Sequence, residues 1–121
     1  MKISIAKEFT FDSAHCLTDL TGSKCQNMHG HTYRLQVFVT GQVQGIVPMV
    51  MDLSALKTAA KVVIDRMDHQ VLNHVFEHDN PTAEFMVVWL HDEINKTLPA
   101  GVAINKLVLW ETPTSFVELE I

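Results

Sequence analysis

The sequence predicts an α+β fold, an antiparallel sheet with two helices on one side. Three observations predict it. Apolar and polar residues alternate near the start of the chain, again from His31, and again beyond residue 102. Between these stretches, two segments carry apolar residues at helical spacing. No repeat, low-complexity tract or linker interrupts the pattern, so residues 1–121 read as one domain.

The elements follow in order. Ile3, Ile5, Phe9 and Phe11 share one parity, while Lys2, Ser4, Glu8, Thr10 and Asp12 share the other, which makes 2–12 a half-buried strand. Residues 13–28 lose the pattern and carry Thr21, Gly22 and Ser23, a loop composition. From His31, the residues Tyr33, Leu35, Val37 and Val39 define a second strand ending near Gly41. Gly45 and Pro48 make 43–51 a turn with a short extended piece. Asp52 suits a helix N-cap, and Leu53, Leu56, Ala60, Val63, Ile64 and Met67 follow at helical spacing. Residues 68–79 are irregular and polar. Asn80 and Pro81 suit a cap and first-turn pair. Met86, Leu90, Ile94 and Leu98, with Phe85 and Trp89 alongside, form a second helix that Pro99 and Gly101 stop. Residues 103–111 and 115–121 close the chain as two strands around a turn at Thr112–Thr114, for an order ββααββ.

Composition narrows the function classes. With 47% hydrophobic and 19% charged residues the chain folds rather than stays disordered. A formal net charge of -5 argues against general nucleic-acid binding and against a polybasic membrane surface. No apolar run approaches the ~20 residues that span a bilayer, and the alternating, charge-interrupted N-terminus does not read as a signal peptide. Two cysteines, Cys16 and Cys25, are too few for a disulfide framework. A cytoplasmic location is the expectation.

Three histidines carry the chemistry. His29 and His31 are separated by one residue, so in an extended segment both imidazoles face one point. His15 has the parity of Phe9 and Phe11, and an antiparallel pairing of the first two strands brings it beside them. Three neutral imidazoles with an open fourth position match a catalytic zinc site. The competing reading is three ordinary surface or core histidines. Cys25, four residues before His29, is either a fourth ligand closing a structural site, a nucleophile or base beside an open zinc, or a half-buried loop cysteine. Cys16 points away from His15 in an extended segment.

Asp68-His69 offers a carboxylate beside an imidazole, a combination suited to proton transfer, although adjacent residues do not ordinarily bond to each other. Glu111 shares the parity of Leu107 and Leu109 and faces inward if they do. A carboxylate there accepts two parallel N–H bonds, a fork suited to guanidine-like groups; the alternative is a solvent-facing strand end. His74 and His78, in a polar stretch, read as solvated loop histidines, and His91 as exposed.

Taken together, F-D-S-A-H, C-Q-N-M-H-G-H-T-Y, M-D-L-S-A-L-K, M-D-H-Q-V-L-N, N-P-T-A-E and W-E-T-P resemble the 6-pyruvoyltetrahydropterin synthase superfamily, in order from about residue 7 to 113. The three residues between Cys25 and His29 are similar to the spacing in bacterial 6-carboxytetrahydropterin synthases of queuosine biosynthesis. The resemblance implies a tunnelling fold, whose subunits join their sheets into a barrel as trimers or hexamers, with active sites between subunits. It implies Zn2+ on His15, His29 and His31, Cys25 as proton acceptor, Asp68 and His69 as a proton relay, and Glu111 as the anchor of the pterin. It implies conversion of 7,8-dihydroneopterin triphosphate to 6-carboxy-5,6,7,8-tetrahydropterin with release of acetaldehyde and triphosphate. The alternatives are 6-pyruvoyltetrahydropterin synthase activity on the same substrate, aldolase-like cleavage leaving 6-hydroxymethyl-dihydropterin, and a non-enzymatic zinc-stabilised assembly module. Cys16 stands where relatives commonly carry a basic residue, which leaves Lys24 and Arg34 as candidate phosphate holders.

Overall fold

The computed structural model describes residues 2–121. Strands β1 (Ser4–His15), β2 (His29–Thr40), β3 (Gln70–Val71), β4 (Ala103–Thr112) and β5 (Ser115–Glu120) form one sheet in the order β3-β1-β2-β4-β5. Helices α1 (Leu53–Ile64), α2 (Leu72–Val75) and α3 (Ala83–Asn95) complete the α+β architecture, with a 3-10 turn at Lys24–Gln26. The pairs β1–β2, β2–β4 and β4–β5 are antiparallel, and β3 lies parallel to β1. Among the described residues no helix is long and apolar enough to cross a membrane.

Alternation puts Phe11, Tyr33, Leu35, Val37, Val39, Leu107 and Leu109 on one face of the sheet, fully or almost fully buried. Leu56, Ala60 and Val63 of α1 and Met86, Leu90 and Ile94 of α3 complete the core against them. Phe11 stacks on Tyr33 with ring centroids 5.0 Å apart. This layer ends at the edge where β1 finishes and β2 begins, and the histidines sit there.

Several boundaries differ from the sequence expectation, each for a physical reason. β1 runs on to His15 instead of ending at Asp12, and β2 starts at His29 rather than His31. The inward positions of this extension are Ser13 and His15, both buried and both polar, so no hydrophobic alternation marks them. Ser13 satisfies its burial by donating from Oγ to the Met67 carbonyl at 2.6 Å. The Asp52 carboxylate caps α1 as expected, accepting the Ser54 N–H at 3.1 Å. The helix ends at Ile64, where Arg66 and Met67 donate to carbonyls three residues back and tighten the last turn. Met67 stays fully buried outside the helix. Thr82, not Asn80, caps α3, accepting the Phe85 N–H at 3.1 Å. The Asn80 amide is engaged with Asp19 at 3.0 and 2.8 Å instead. α3 stops at Asn95, short of Leu98, and the Asn95 Oδ1 accepts the Ile104 N–H at 3.0 Å. In 43–51 the extended piece is a single bridge between Gln44 and Met49.

Candidate metal centre and active site

The β1–β2 register sets His15 opposite His29 and Ser13 opposite His31. Parity then turns the imidazoles of residues 15, 29 and 31 to the helix-covered face. Their ring centroids lie 4.6, 5.3 and 4.9 Å apart, and one ring nitrogen of each falls within 4.8 Å of the other two. Two backbone carbonyls orient the rings. His15 Nδ1–H donates to Pro81 O at 2.9 Å, and His29 Nδ1–H donates to Asn27 O at 2.7 Å. Both Nε2 atoms therefore carry free lone pairs, the arrangement common to metal-bound histidines.

Those lone pairs have little else to meet. His29 Nε2 and His31 Nε2 are buried with no hydrogen-bond partner. His15 Nε2 has only the Tyr33 hydroxyl, at 3.5 Å. Glu111 Oε1 lies 3.3 Å from His31 Nε2, close enough to attract but not aligned as a hydrogen bond. Burial holds the His15 imidazole below its ordinary pKa against the pull of the Pro81 carbonyl, and the His29 ring adds to the lowering. Burial also lowers His31, against the attraction of Glu111. Both rings are thus neutral at pH 7. Orphaned buried polar atoms are costly, and three convergent imidazole nitrogens form the donor set that zinc prefers. The residues fit such an ion.

Glu111, on β4, faces inward as its parity predicts, with its side chain 30% exposed. The Asp68–His69 pair departs from expectation. The two adjacent side chains bond directly, Asp68 Oδ1 accepting from His69 Nδ1 at 3.0 Å. His69 itself sits in the left-handed backbone region, at φ 59°. The same oxygen accepts the Asp12 N–H at 3.0 Å, and His69 N–H donates to Asp12 O at 2.6 Å. The Asp12 amide, more than the His69 ring, holds the Asp68 carboxyl below the usual carboxylate range. Asp12 itself was not a sequence candidate, because it lies on the polar parity of β1, where a carboxylate is ordinary. Its Oδ1 accepts the Thr32 hydroxyl at 2.5 Å.

Two clefts flank the start of β2. One, of about 650 Å³, is lined by His31, His69, Asp12 and His74. The other, of about 420 Å³, is lined by His31, Glu111, Arg34 and Trp110. His31 therefore links Glu111 to His69. Cys25 is held apart from both. Its N–H donates to Ser23 Oγ at 3.1 Å, and its carbonyl accepts the Leu17 N–H at 2.8 Å, two residues past His15. Among the described residues its thiol does not join the histidine nitrogens and does not line the His31–His69 cleft. Arg34 stacks on Trp110 at 4.4 Å and pairs with Glu8 at 3.3 Å. His78 accepts the Asn80 N–H through Nδ1 at 2.8 Å. His91, half-buried rather than exposed, contacts Asp92 and Asn95.

Comparison with known proteins bears on this constellation. Residues 4–121 match the family described as 6-pyruvoyl tetrahydropterin synthase. The chain is 37% identical over 120 residues to a dihydroneopterin monophosphate aldolase of Pyrococcus furiosus, covering 99% of each chain. It is 35% identical over 141 residues to a 6-carboxy-5,6,7,8-tetrahydropterin synthase of Haemophilus influenzae, covering 96% of this chain and 97% of the other. Among solved structures it is similar to the 6-pyruvoyl tetrahydropterin synthase of Caenorhabditis elegans, with a TM-score of 0.85 and 25% identity over 100% of this chain and 96% of that one.

Proposed function

Because the chain belongs to the 6-pyruvoyl tetrahydropterin synthase family, we propose that it is a zinc-dependent lyase acting on the side chain of 7,8-dihydroneopterin triphosphate. Its products are 6-carboxy-5,6,7,8-tetrahydropterin, acetaldehyde and triphosphate, and its setting is cytoplasmic queuosine (7-deazaguanine) biosynthesis. Relatives named as 6-carboxy-5,6,7,8-tetrahydropterin synthases, matched along nearly the whole chain, support this product. The observation that carries the reading is the pair of buried, unpartnered Nε2 atoms of His29 and His31 beside His15 and within reach of Glu111.

His15, His29 and His31 would hold the ion, and zinc bound there supplies Lewis-acid polarisation of a substrate oxygen. Glu111 accepts paired N–H bonds from the pterin edge, which fixes the ring and points the side chain toward the histidines. Cys25, as thiolate, accepts a proton from the substrate side chain. Asp68 keeps His69 protonated at Nδ1, which frees Nε2 to pass a proton across the cleft it shares with His31. One chain does not bring Cys25 and His69 to the same cleft. A homo-oligomer, trimer or hexamer, in which Cys25 of one subunit meets His69 of the next, supplies the missing combination.

A second reading has a specific observation behind it. The aldolase relative matches 99% of both chains at 37% identity, against 35% for the carboxy synthases of Haemophilus influenzae and Synechocystis. The same proton acceptor and relay serve aldolase-like cleavage that leaves 6-hydroxymethyl-dihydropterin. Incubating the zinc-loaded protein with dihydroneopterin triphosphate, and in parallel with the monophosphate, and reading product masses separates the two. The 6-carboxy product with acetaldehyde supports the lead reading, the 6-hydroxymethyl product replaces it with the aldolase, and no pterin product from either substrate sinks both.

A further inference from the structure

Asn73 closes the stretch M-D-H-Q-V-L-N, and no step above uses it. Its environment ties it to His15. Strand β3 pairs with β1 only through Gln70–Ser13 and Val71–Ala14. Leu72 then turns into α2, so β3 ends opposite Ala14, one residue before His15. Asn73 continues the pairing with its side chain. Its Oδ1 accepts the Cys16 N–H at 2.9 Å, and its Nδ2 donates to the Cys16 carbonyl at 2.9 Å. One amide thus brackets both backbone groups of the residue that follows His15.

The same Nδ2 also lies 3.2 Å from the Asp79 carbonyl. Thr18 N–H reaches that carbonyl too, at 3.2 Å. Two residues on, Pro81 presents the carbonyl that receives His15 Nδ1–H at 2.9 Å. Asn73 therefore grips both parts of one device: the backbone that carries the ring and the loop whose carbonyl sets its tautomer. His15 is 1% exposed, so no water replaces that carbonyl cheaply.

We propose that Asn73 is a positioning residue of the metal centre, holding His15 and the Pro81 carbonyl in register so that His15 Nε2 points at the ion. The proposal rests on the reading of His15, His29 and His31 as metal ligands. Partners that orient a metal-bound histidine typically change metal affinity by about 10–100-fold when removed.

The test compares the full chain with Asn73→Ala and Asn73→Asp. Asn73→Asp keeps the acceptor for the Cys16 N–H but sets a carboxylate oxygen against the Cys16 and Asp79 carbonyls. Zinc affinity is measured by chelator competition, and the His15 ring is followed in the metal-free proteins by long-range proton–nitrogen NMR. Both variants are expected to bind zinc about 10–100-fold more weakly, and their His15 Nδ1–H signal to lose its protection from exchange. A merely structural asparagine lowers the melting temperature and moves neither readout. Zinc affinity equal to wild type in a folded variant, with His15 Nδ1–H still protected, overturns the proposal. Failure of the wild type to bind zinc overturns the metal-centre reading instead, and the metal-free NMR comparison then still decides whether Asn73 orients His15.

Discussion

Replacing Cys25 with alanine separates a thiol that reacts from one that binds metal. The substitution deletes one sulfur and leaves the turn intact, because the turn is held by backbone bonds to Ser23 Oγ and Leu17 N–H. The thiol is half-buried and outside the group of convergent histidine nitrogens. Stability should therefore fall by no more than about 1 kcal/mol, and zinc content should match wild type. Turnover should fall by about 10²–10⁴-fold, the usual contribution of a positioned proton acceptor. At about 1.36 kcal/mol per decade this is roughly 2.7–5.4 kcal/mol of lost transition-state stabilisation. Elemental analysis gives zinc per chain, and single-turnover incubation with dihydroneopterin triphosphate gives the rate. Loss of zinc would make Cys25 a fourth ligand, and undiminished turnover would remove it from the chemistry. Either result refutes the assigned role.

Three further outcomes follow from the geometry. Mixing refolded Cys25→Ala and His69→Ala chains in equal amounts should restore about a quarter of wild-type activity, since random pairing leaves that share of interfaces with both groups present; activity no greater than that of the separate variants would place both groups in one chain. Glu111→Gln should raise KM for the pterin by about 10-fold or more, as expected for the loss of a charged hydrogen bond of ~1.5–3 kcal/mol, with zinc content unchanged; an unchanged KM would remove Glu111 from pterin binding. His15 and His31 have folded pKa values below the reference of about 6.5, so the unfolded chain takes up protons first as pH falls. Urea midpoints of the metal-free protein should be constant in this respect above about pH 6.5 and fall as pH drops through the folded values; a midpoint that rises on acidification from pH 7 to pH 5 would contradict that sign.

Where one face of an element is apolar, the sequence was legible. β2 and α1 follow their periodicity because Tyr33 to Val39, and Leu56 to Ile64, bury hydrocarbon against each other. The convergence of His15, His29 and His31 could be read from parity together with antiparallel pairing of the first two strands, and the inward aspect of Glu111 from parity. Features made by polar burial or by local backbone conformation could not be read. Ser13 and His15 extend β1 through a hydrogen bond and a buried imidazole, neither of which leaves a hydrophobic signature. β3 has two residues, too few to show a period. The direct bond between Asp68 and His69, made where His69 adopts a positive φ, is a matter of local conformation that no residue type at that position announces. Asn73 looks like any loop asparagine until its partners, 57 residues earlier in the chain, are in place.

The coordination shell of the purified protein bears most directly on the three-histidine centre. Zinc X-ray absorption on the full-length, zinc-loaded protein should show three imidazole nitrogens at about 2.0–2.1 Å and no sulfur. Addition of a non-reacting pterin that carries the side-chain hydroxyls should alter the light-atom shell and leave the three nitrogens in place. A sulfur shell at about 2.3 Å, or fewer than three imidazoles, would contradict a histidine-only centre with an open position for substrate.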